Sequence, residues 1–160
     1  MITQEELKTH LWYDQDVGLF IRKKSHRGNH AGRFVTTTDR DGYVVVKILG
    51  KTYMAHRLAW LYTHGIFPEK QIDHKNKIPS DNRMSNLREC SYEQNHSNRR
   101  CQKTSKTGVK GVQITKFGKF RARIRINGEK IDLGSYSTLE QAGEVYMEKL
   151  RETYGEFASS

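Results

Sequence analysis

The sequence predicts an α+β chain in which short antiparallel strands and short helices alternate around small cores. Three observations carry this. Capping-box patterns open helices near the N-terminus, in the middle and near the C-terminus. Strand-like runs are brief and bounded by Gly, Asn or Asp turn signals. The apolar fraction is 35%, which suits two or three small cores joined by polar segments better than one large core.

The elements follow in order. Thr3-Gln4-Glu5-Glu6 has the form of a capping box, with Thr3 as N-cap, and predicts a short helix to about His10 with Leu7 and Leu11 one turn apart. Gly18–Lys23 and Tyr43–Leu49 read as strands of a small twisted antiparallel sheet, with turns at Asp41-Gly42 and Gly50-Lys51. The basic residues of this half (Arg22, Lys23, Lys24, Arg27, Arg33) suit phosphate contact or edge-strand solubility equally. Met54–His64 reads as a helix closed by Gly65 as C-cap, with Leu58, Leu61 and Tyr62 on one face and Trp60 beside it. Gln71–His74 is a short strand, Lys75–Met84 a polar loop, and Asn86–Cys90 a second short strand. Ser91-Tyr92-Glu93-Gln94 is another capping box, opening a helix that carries Asn95, His96 and Asn98.

Arg99–Gly108 has no apolar residue except Cys101 and reads as a flexible basic linker. Beyond it the pattern becomes regular. Lys119–Ile126 alternates polar and apolar for eight residues, a half-buried strand. Asn127-Gly128 is a strong two-residue hairpin signal, and folding about it sets Ile124 opposite Ile131 and Ala122 opposite Leu133. Gly111–Thr115 adds a third strand. Ser137-Thr138-Leu139-Glu140 opens a helix to about Tyr154, whose Leu139, Ala142, Tyr146 and Leu150 form the stripe that covers the sheet.

Charge is concentrated. The chain carries a formal net charge of +10, and residues 99–130 hold eleven Lys or Arg against one acid, Glu129. Such a stretch is the footprint of a nucleic-acid binder. Lys119, Arg121, Arg123, Arg125 and Lys130 share the polar face of the predicted hairpin. Alternate strand positions stand about 6.6 Å apart, so four cations span about 20 Å, near the reach of successive phosphates. Lys110, Lys116, Arg99 and Arg100 join them as candidate contacts to double-stranded DNA. Two separated cysteines make no disulfide framework, no apolar run reaches about 18 residues, and the N-terminus lacks a signal-peptide layout. A soluble protein of the cytoplasm, without membrane attachment, is the expectation.

The segment 71–100 carries the chemistry. Phosphodiester hydrolysis needs an attacking water, charge relief on the phosphate and help for the leaving oxygen. A hard cation such as Mg²⁺ supplies the last two and needs only one or two protein oxygens, because it keeps several waters. Asp73 and Asn95 offer oxygen, and a neutral His74 can take the water's proton near pH 7.

His56-Arg57-Leu58, Ile72-Asp73-His74, Asp81-Asn82-Arg83, Asn86-Leu87-Arg88 and Asn95-His96-Ser97-Asn98 fall in order on strand, loop, strand and helix. Over about Tyr43 to Arg100 this run resembles the HNH endonuclease family, especially phage and intron-encoded homing enzymes. The resemblance implies a ββα-metal fold, with His74 as general base and Asp73 and Asn95 on a divalent cation, Mg²⁺ or Mn²⁺. It implies that Asn86 holds the loop and orients His74 through backbone hydrogen bonds, and that Asn82 braces the same loop. His56 joins as a structural or orienting residue. Many relatives carry His where Asn95 stands, and His96 is its neighbour.

Gly111-Val112, Lys119-Phe120-Arg121-Ala122-Arg123-Ile124, Leu133-Gly134-Ser135-Tyr136, Glu140-Gln141-Ala142 and Tyr146 resemble the plant APETALA2-type DNA-binding domain over about Gly108 to Phe157. That resemblance implies a three-stranded sheet backed by one helix; the family usually has Trp at the position of Phe120. The expected organisation is a β-rich extension (1–55), an HNH core (56–100), a basic linker (101–108) and a DNA-binding domain (109–160). The expected function is a site-specific, metal-dependent DNA endonuclease of the homing type, acting as monomer or homodimer in a phage-infected or bacterial cell. A non-catalytic DNA-binding regulator is the alternative, and a zinc site of Cys90, His96 and Cys101 a third reading.

Overall fold

The structure is a computed structural model that describes residues 1–25, 30–99, 101 and 104–159. It is α+β, built from small sheets and short helices, and it divides into two compact units, 1–89 and 90–160. The helix bearing Asn95 groups with the C-terminal sheet, and one apolar cluster runs from Ile2 to Leu87.

The first unit opens with α1 (Gln4–His10), capped by the Thr3–Glu6 box as the sequence predicts. Two hairpins follow: β1 (Leu11–Asp14) with β2 (Leu19–Arg22), and β3 (Val45–Ile48) with β4 (Lys51–Met54). The sequence pattern predicts one sheet here from Gly18–Lys23 and Tyr43–Leu49, and gives no strand signal for β1 or β4. In β1 the exposed Trp12 stands between buried Leu11 and Tyr13, so an apolar residue occupies the polar slot and the alternation is masked. The β3–β4 turn is Leu49-Gly50 rather than Gly50-Lys51. Both turn residues have positive φ, 50° and 76°, as the tight hairpin connection requires, but Leu is a weak signal for it.

Next come α2 (Ala55–His64), stopped by Gly65 in the left-handed conformation at φ 83°, and the paired strands β5 (Gln71–His74) and β6 (Leu87–Cys90). Strands of four residues cannot bury a face alone. They share one cluster, in which Leu7, Leu11, Phe20, Val46, Leu58 and Leu61 are almost wholly enclosed. Each such side chain contributes about 1.5–3 kcal/mol on leaving water.

In the second unit α3 (Tyr92–Asn98) is opened by the Ser91–Gln94 capping box. The sheet order is β7 (Val112–Ile114), β8 (Phe120–Ile126), β9 (Glu129–Tyr136), all antiparallel, backed by α4 (Leu139–Tyr154). Ala142, Tyr146 and Leu150 of α4 meet Val112, Ala122 and Ile124, the stripe and face that the sequence predicts. Asn127 and Gly128 turn the hairpin at φ 51° and 83°, and Ile124 faces Ile131. The predicted pairing of Ala122 with Leu133 is corrected: Ala122 faces Gly134, because a bulge leaves Leu133 as an extra residue on β9. The α4 N-cap is Thr138, whose hydroxyl accepts from Gln141 N–H, one residue later than expected. Gly111 has a specific reason to be glycine. Its φ is 73°, and a Cβ there would lie 2.0 Å from the Tyr146 ring.

Candidate functional site

Asp73 and His74 end β5, and both are buried. Adjacent residues of a strand face opposite ways, so their partners differ. Asp73 Oδ2 accepts from Arg88 Nε at 2.9 Å, across to β6. In the sequence Arg88 is marked only by the Asn86-Leu87-Arg88 motif, and no local signal shows that it pairs with Asp73.

His74 is held by the loop that joins the two strands. Its Nε2 lies 3.2 Å from Asn82 Oδ1. The Asn82 amide donates through Nδ2 to Ser80 O, which assigns Oδ1 to the side facing the ring. An amide oxygen only accepts, so the proton sits on His74 Nε2 and Nδ1 is the basic nitrogen. Burial lowers the His74 pKa, and the Asn82 bond and the Asp73 charge oppose that in part. The imidazole is therefore neutral at pH 7, the form a proton acceptor needs.

The loop itself is pinned by amides. Asn86 Nδ2 donates to Asp81 O (2.8 Å) and Asn76 Oδ1 (3.0 Å), while its Oδ1 accepts from Asn76 N–H (3.0 Å). Asp81 takes two bonds from the Arg83 guanidinium, which with Asn76 holds its carboxyl down to about 2. Asn86 thus bonds to two segments of the loop, and the side chain on the His74 ring is that of Asn82.

His56, on α2, packs edge-on against His74 with ring centroids 5.2 Å apart, and Tyr43 flanks both rings at 5.6 and 5.8 Å. Nothing in the sequence around Tyr43 marks it for this place beside the two imidazoles. Among the described residues, His56 Nδ1 is buried without a hydrogen-bond partner. Burial first, then the His74 and Arg57 charges, lower the His56 pKa from 6.5 to about 3. A folded-state pKa below the unfolded one means that the unfolded chain takes up the proton first, so stability falls as pH drops from 6.5 towards 3. Melting temperature measured across that window should fall less steeply for His56→Gln than for the parent.

Asn95 lies on α3 in the second unit, half-buried, beside the exposed His96. Burial, then Arg99, Lys110 and Arg125, lower the His96 pKa. Among the described residues no three His, Cys, Asp or Glu side chains gather as a metal-holding group, so Cys90, His96 and Cys101 are not brought together as a zinc site.

The candidate DNA contacts are unequal. Lys119, Arg123, Arg125 and Lys130 are exposed, with Arg125 paired to Lys130 and Arg123 to Asp132 across the β8–β9 ladder. Asp132 nevertheless makes its ion pair with Arg121, along the diagonal. Lys110 points its ammonium at the carbonyls of Ser97, Arg99 (2.8 Å) and Ser159 (3.3 Å), so it ties the chain ends of this unit together. Lys116 lies over the ring of the exposed Phe117, and Arg99 is exposed. Arg100, like Arg27 of the N-terminal half, lies outside the described residues. No helix among those described is long and apolar enough to cross a membrane.

A buried histidine and the buried, ion-paired carboxylate that precedes it in sequence thus stand on a strand–loop–strand braced by asparagines. Residues 53–97, which contain His56, Asp73, His74, Asn82, Asn86 and Asn95, match the HNH endonuclease family. Over 121 residues the chain is 30% identical to an uncharacterized HNH endonuclease of Acanthamoeba polyphaga mimivirus. The aligned region covers 75% of this chain and 63% of that protein, so less than two thirds of the relative's length is spanned. No solved structure matches the chain.

Proposed function

We propose that this chain is a site-specific DNA endonuclease of the HNH homing type. The observation that carries the reading is the His74–Asn82 contact: it presents a neutral imidazole with Nδ1 basic, next to the Asp73 carboxylate. His74 Nδ1 accepts a proton from the attacking water, whose oxygen then bonds to phosphorus as the P–O bond to the leaving oxygen breaks. Asp73 offers a hard oxygen donor, suited to Mg²⁺ or Mn²⁺, and would hold such an ion; Asn95 is the second oxygen donor that the family resemblance implies. When bound, such an ion relieves the phosphate's charge and assists the departing oxygen. A divalent ion that keeps its waters needs few protein ligands, so the donor chemistry fits.

Sequence reading by the second unit completes the proposal, as an APETALA2-like reader of double-stranded DNA. Lys119, Arg123, Arg125 and Lys130 form its contact face, with Lys116 and Arg99 at its margins and Lys110 and Arg121 already engaged within the unit. Two-stranded ribbons of this kind enter a major groove. One active site per chain makes nicking the product of a monomer and double-strand cleavage that of a dimer.

The test is a pooled library of supercoiled plasmids with random inserts, incubated with the protein in MgCl₂, MnCl₂ or EDTA. Nicked or linear products that recur at one insert sequence, and only with metal, are expected. Folded protein that binds DNA tightly but cuts none of the pool would overturn the reading in favour of a non-catalytic regulator.

A further inference from the structure

The residue that holds His74 is itself held from a distant part of the first unit. Tyr13, on β1, donates its hydroxyl to the backbone carbonyl of Asn82 at 2.6 Å, in a buried contact between residues 69 apart in sequence. The Tyr13 ring has little freedom to move: it stacks on Phe20 at 4.7 Å and meets the edge of Tyr62 at 5.6 Å. Burial raises the Tyr13 pKa, so the hydroxyl keeps its proton and remains a donor.

The turn of the same hairpin makes a second contact. Asp14 Oδ1 accepts the N–H groups of Asp16 and Val17 at 3.0 Å each, and Gly18 N–H closes on Asp14 O at 2.8 Å. This shapes a tight turn that brings Gly18, at φ 77°, against the loop. A Cβ on Gly18 would stand 2.4 Å from Arg83 N and 2.7 Å from the Asn82 carbonyl carbon. Backbone therefore lies on backbone at the residue whose amide faces His74. A third contact, Met84 N–H to Gln15 O at 3.0 Å, ties the far side of the loop to the same turn.

We infer that the β1–β2 hairpin is a positioning device for His74, in which Tyr13 and Gly18 fix the backbone of Asn82 and Asn82 fixes the tautomer and tilt of the imidazole. It rests on the proposed role of His74 as general base. Tyr13 and Gly18 touch no reacting atom and act through Asn82. Packing alone does not require this arrangement, since Tyr13 fills its place in the core through its ring, whereas the hydroxyl and the missing Cβ serve the loop.

The test uses the full-length chain with histidine ¹⁵N labelling, and compares the parent with Tyr13→Phe, Gly18→Ala and Asn82→Ala. Imidazole ¹⁵N shifts read the tautomer directly, whether or not DNA is cut. The parent should show His74 protonated at Nε2, and the three variants a mixture of tautomers. On cleaved DNA, kcat should fall on the order of 10-fold for Tyr13→Phe and 100-fold for Gly18→Ala, with KM little changed, as expected for a misplaced base. Tyr13→Phe keeps the ring and guards against the case in which Gly18→Ala fails to fold. Unchanged His74 shifts in folded Tyr13→Phe, or a lowered melting temperature with parental kcat, would overturn the inference. A parent that shows the Nε2–H tautomer but cuts no DNA would instead overturn the endonuclease reading, leaving the positioning contact to stand or fall on the NMR comparison.

Discussion

Replacing His74 with alanine should abolish cleavage while leaving DNA binding intact. Positioned acid–base groups contribute about 10²–10⁴-fold to a reaction, and a fall of that size in single-turnover rate is the expected result. The reason is specific to this site. The imidazole is buried, so its ordinary pKa is lowered and it is neutral at pH 7. Its Nε2 is committed to Asn82, so proton acceptance falls to Nδ1. Alanine removes that nitrogen and nothing in the loop replaces it. The exposed cations that would grip the DNA lie in the second unit, so a gel-shift titration should give parental affinity. Because His74 is 6% exposed, alanine also leaves a cavity, and His74→Gln, closer in volume, should lose as much rate with less change in melting temperature. If His74→Gln cuts as fast as the parent, His74 is not the base.

The second large effect concerns stability. Arg88→Ala should destabilise the first unit by about 3–5 kcal/mol, read from the midpoint of urea unfolding. The Arg88 and Asp73 side chains are 11% and 5% exposed, and their 2.9 Å contact is an ion pair largely out of water. Removing the guanidinium leaves a buried carboxylate without that ion pair, which then no longer offsets its desolvation cost. The double replacement Arg88→Met with Asp73→Leu removes both charges and should recover most of the loss. A single variant as stable as the parent would show that water reaches Asp73 and that the pair is weak. The outcome bears on function as well: Asp73 is the proposed oxygen donor to the cation, so the residue that serves the site also places a charge in the core that Arg88 helps to balance.

Much of the fold was legible because it is made of near neighbours. The Thr3 and Ser91 capping boxes, the Gly65 stop, the Asn127-Gly128 turn and the α4 stripe each follow from interactions within a few residues, and each formed. The misses were also local. Trp12 hid the β1 alternation by being exposed, Leu49 hid a turn by occupying a position that favours Asn or Gly, and the bulge at Leu133 moved one pairing by a residue.

By itself the sequence determined the residue types and their order: an acid and a histidine ending one short strand, asparagines in the loop and on the next helix, and a run of cations beyond. Those types limit the chemistry to proton transfer, oxygen ligation and phosphate attraction. Only the tertiary structure decided the pairings. It put Asn82 on the His74 ring, set Arg88 against Asp73, gave Arg121 to Asp132, turned Lys110 onto backbone carbonyls, and brought Tyr13 to Asn82. The physical reason is range. Caps and turns are settled by bonds within four residues, whereas a buried charge or amide takes whichever partner the packed core delivers, and here that partner comes from as far as 69 residues away.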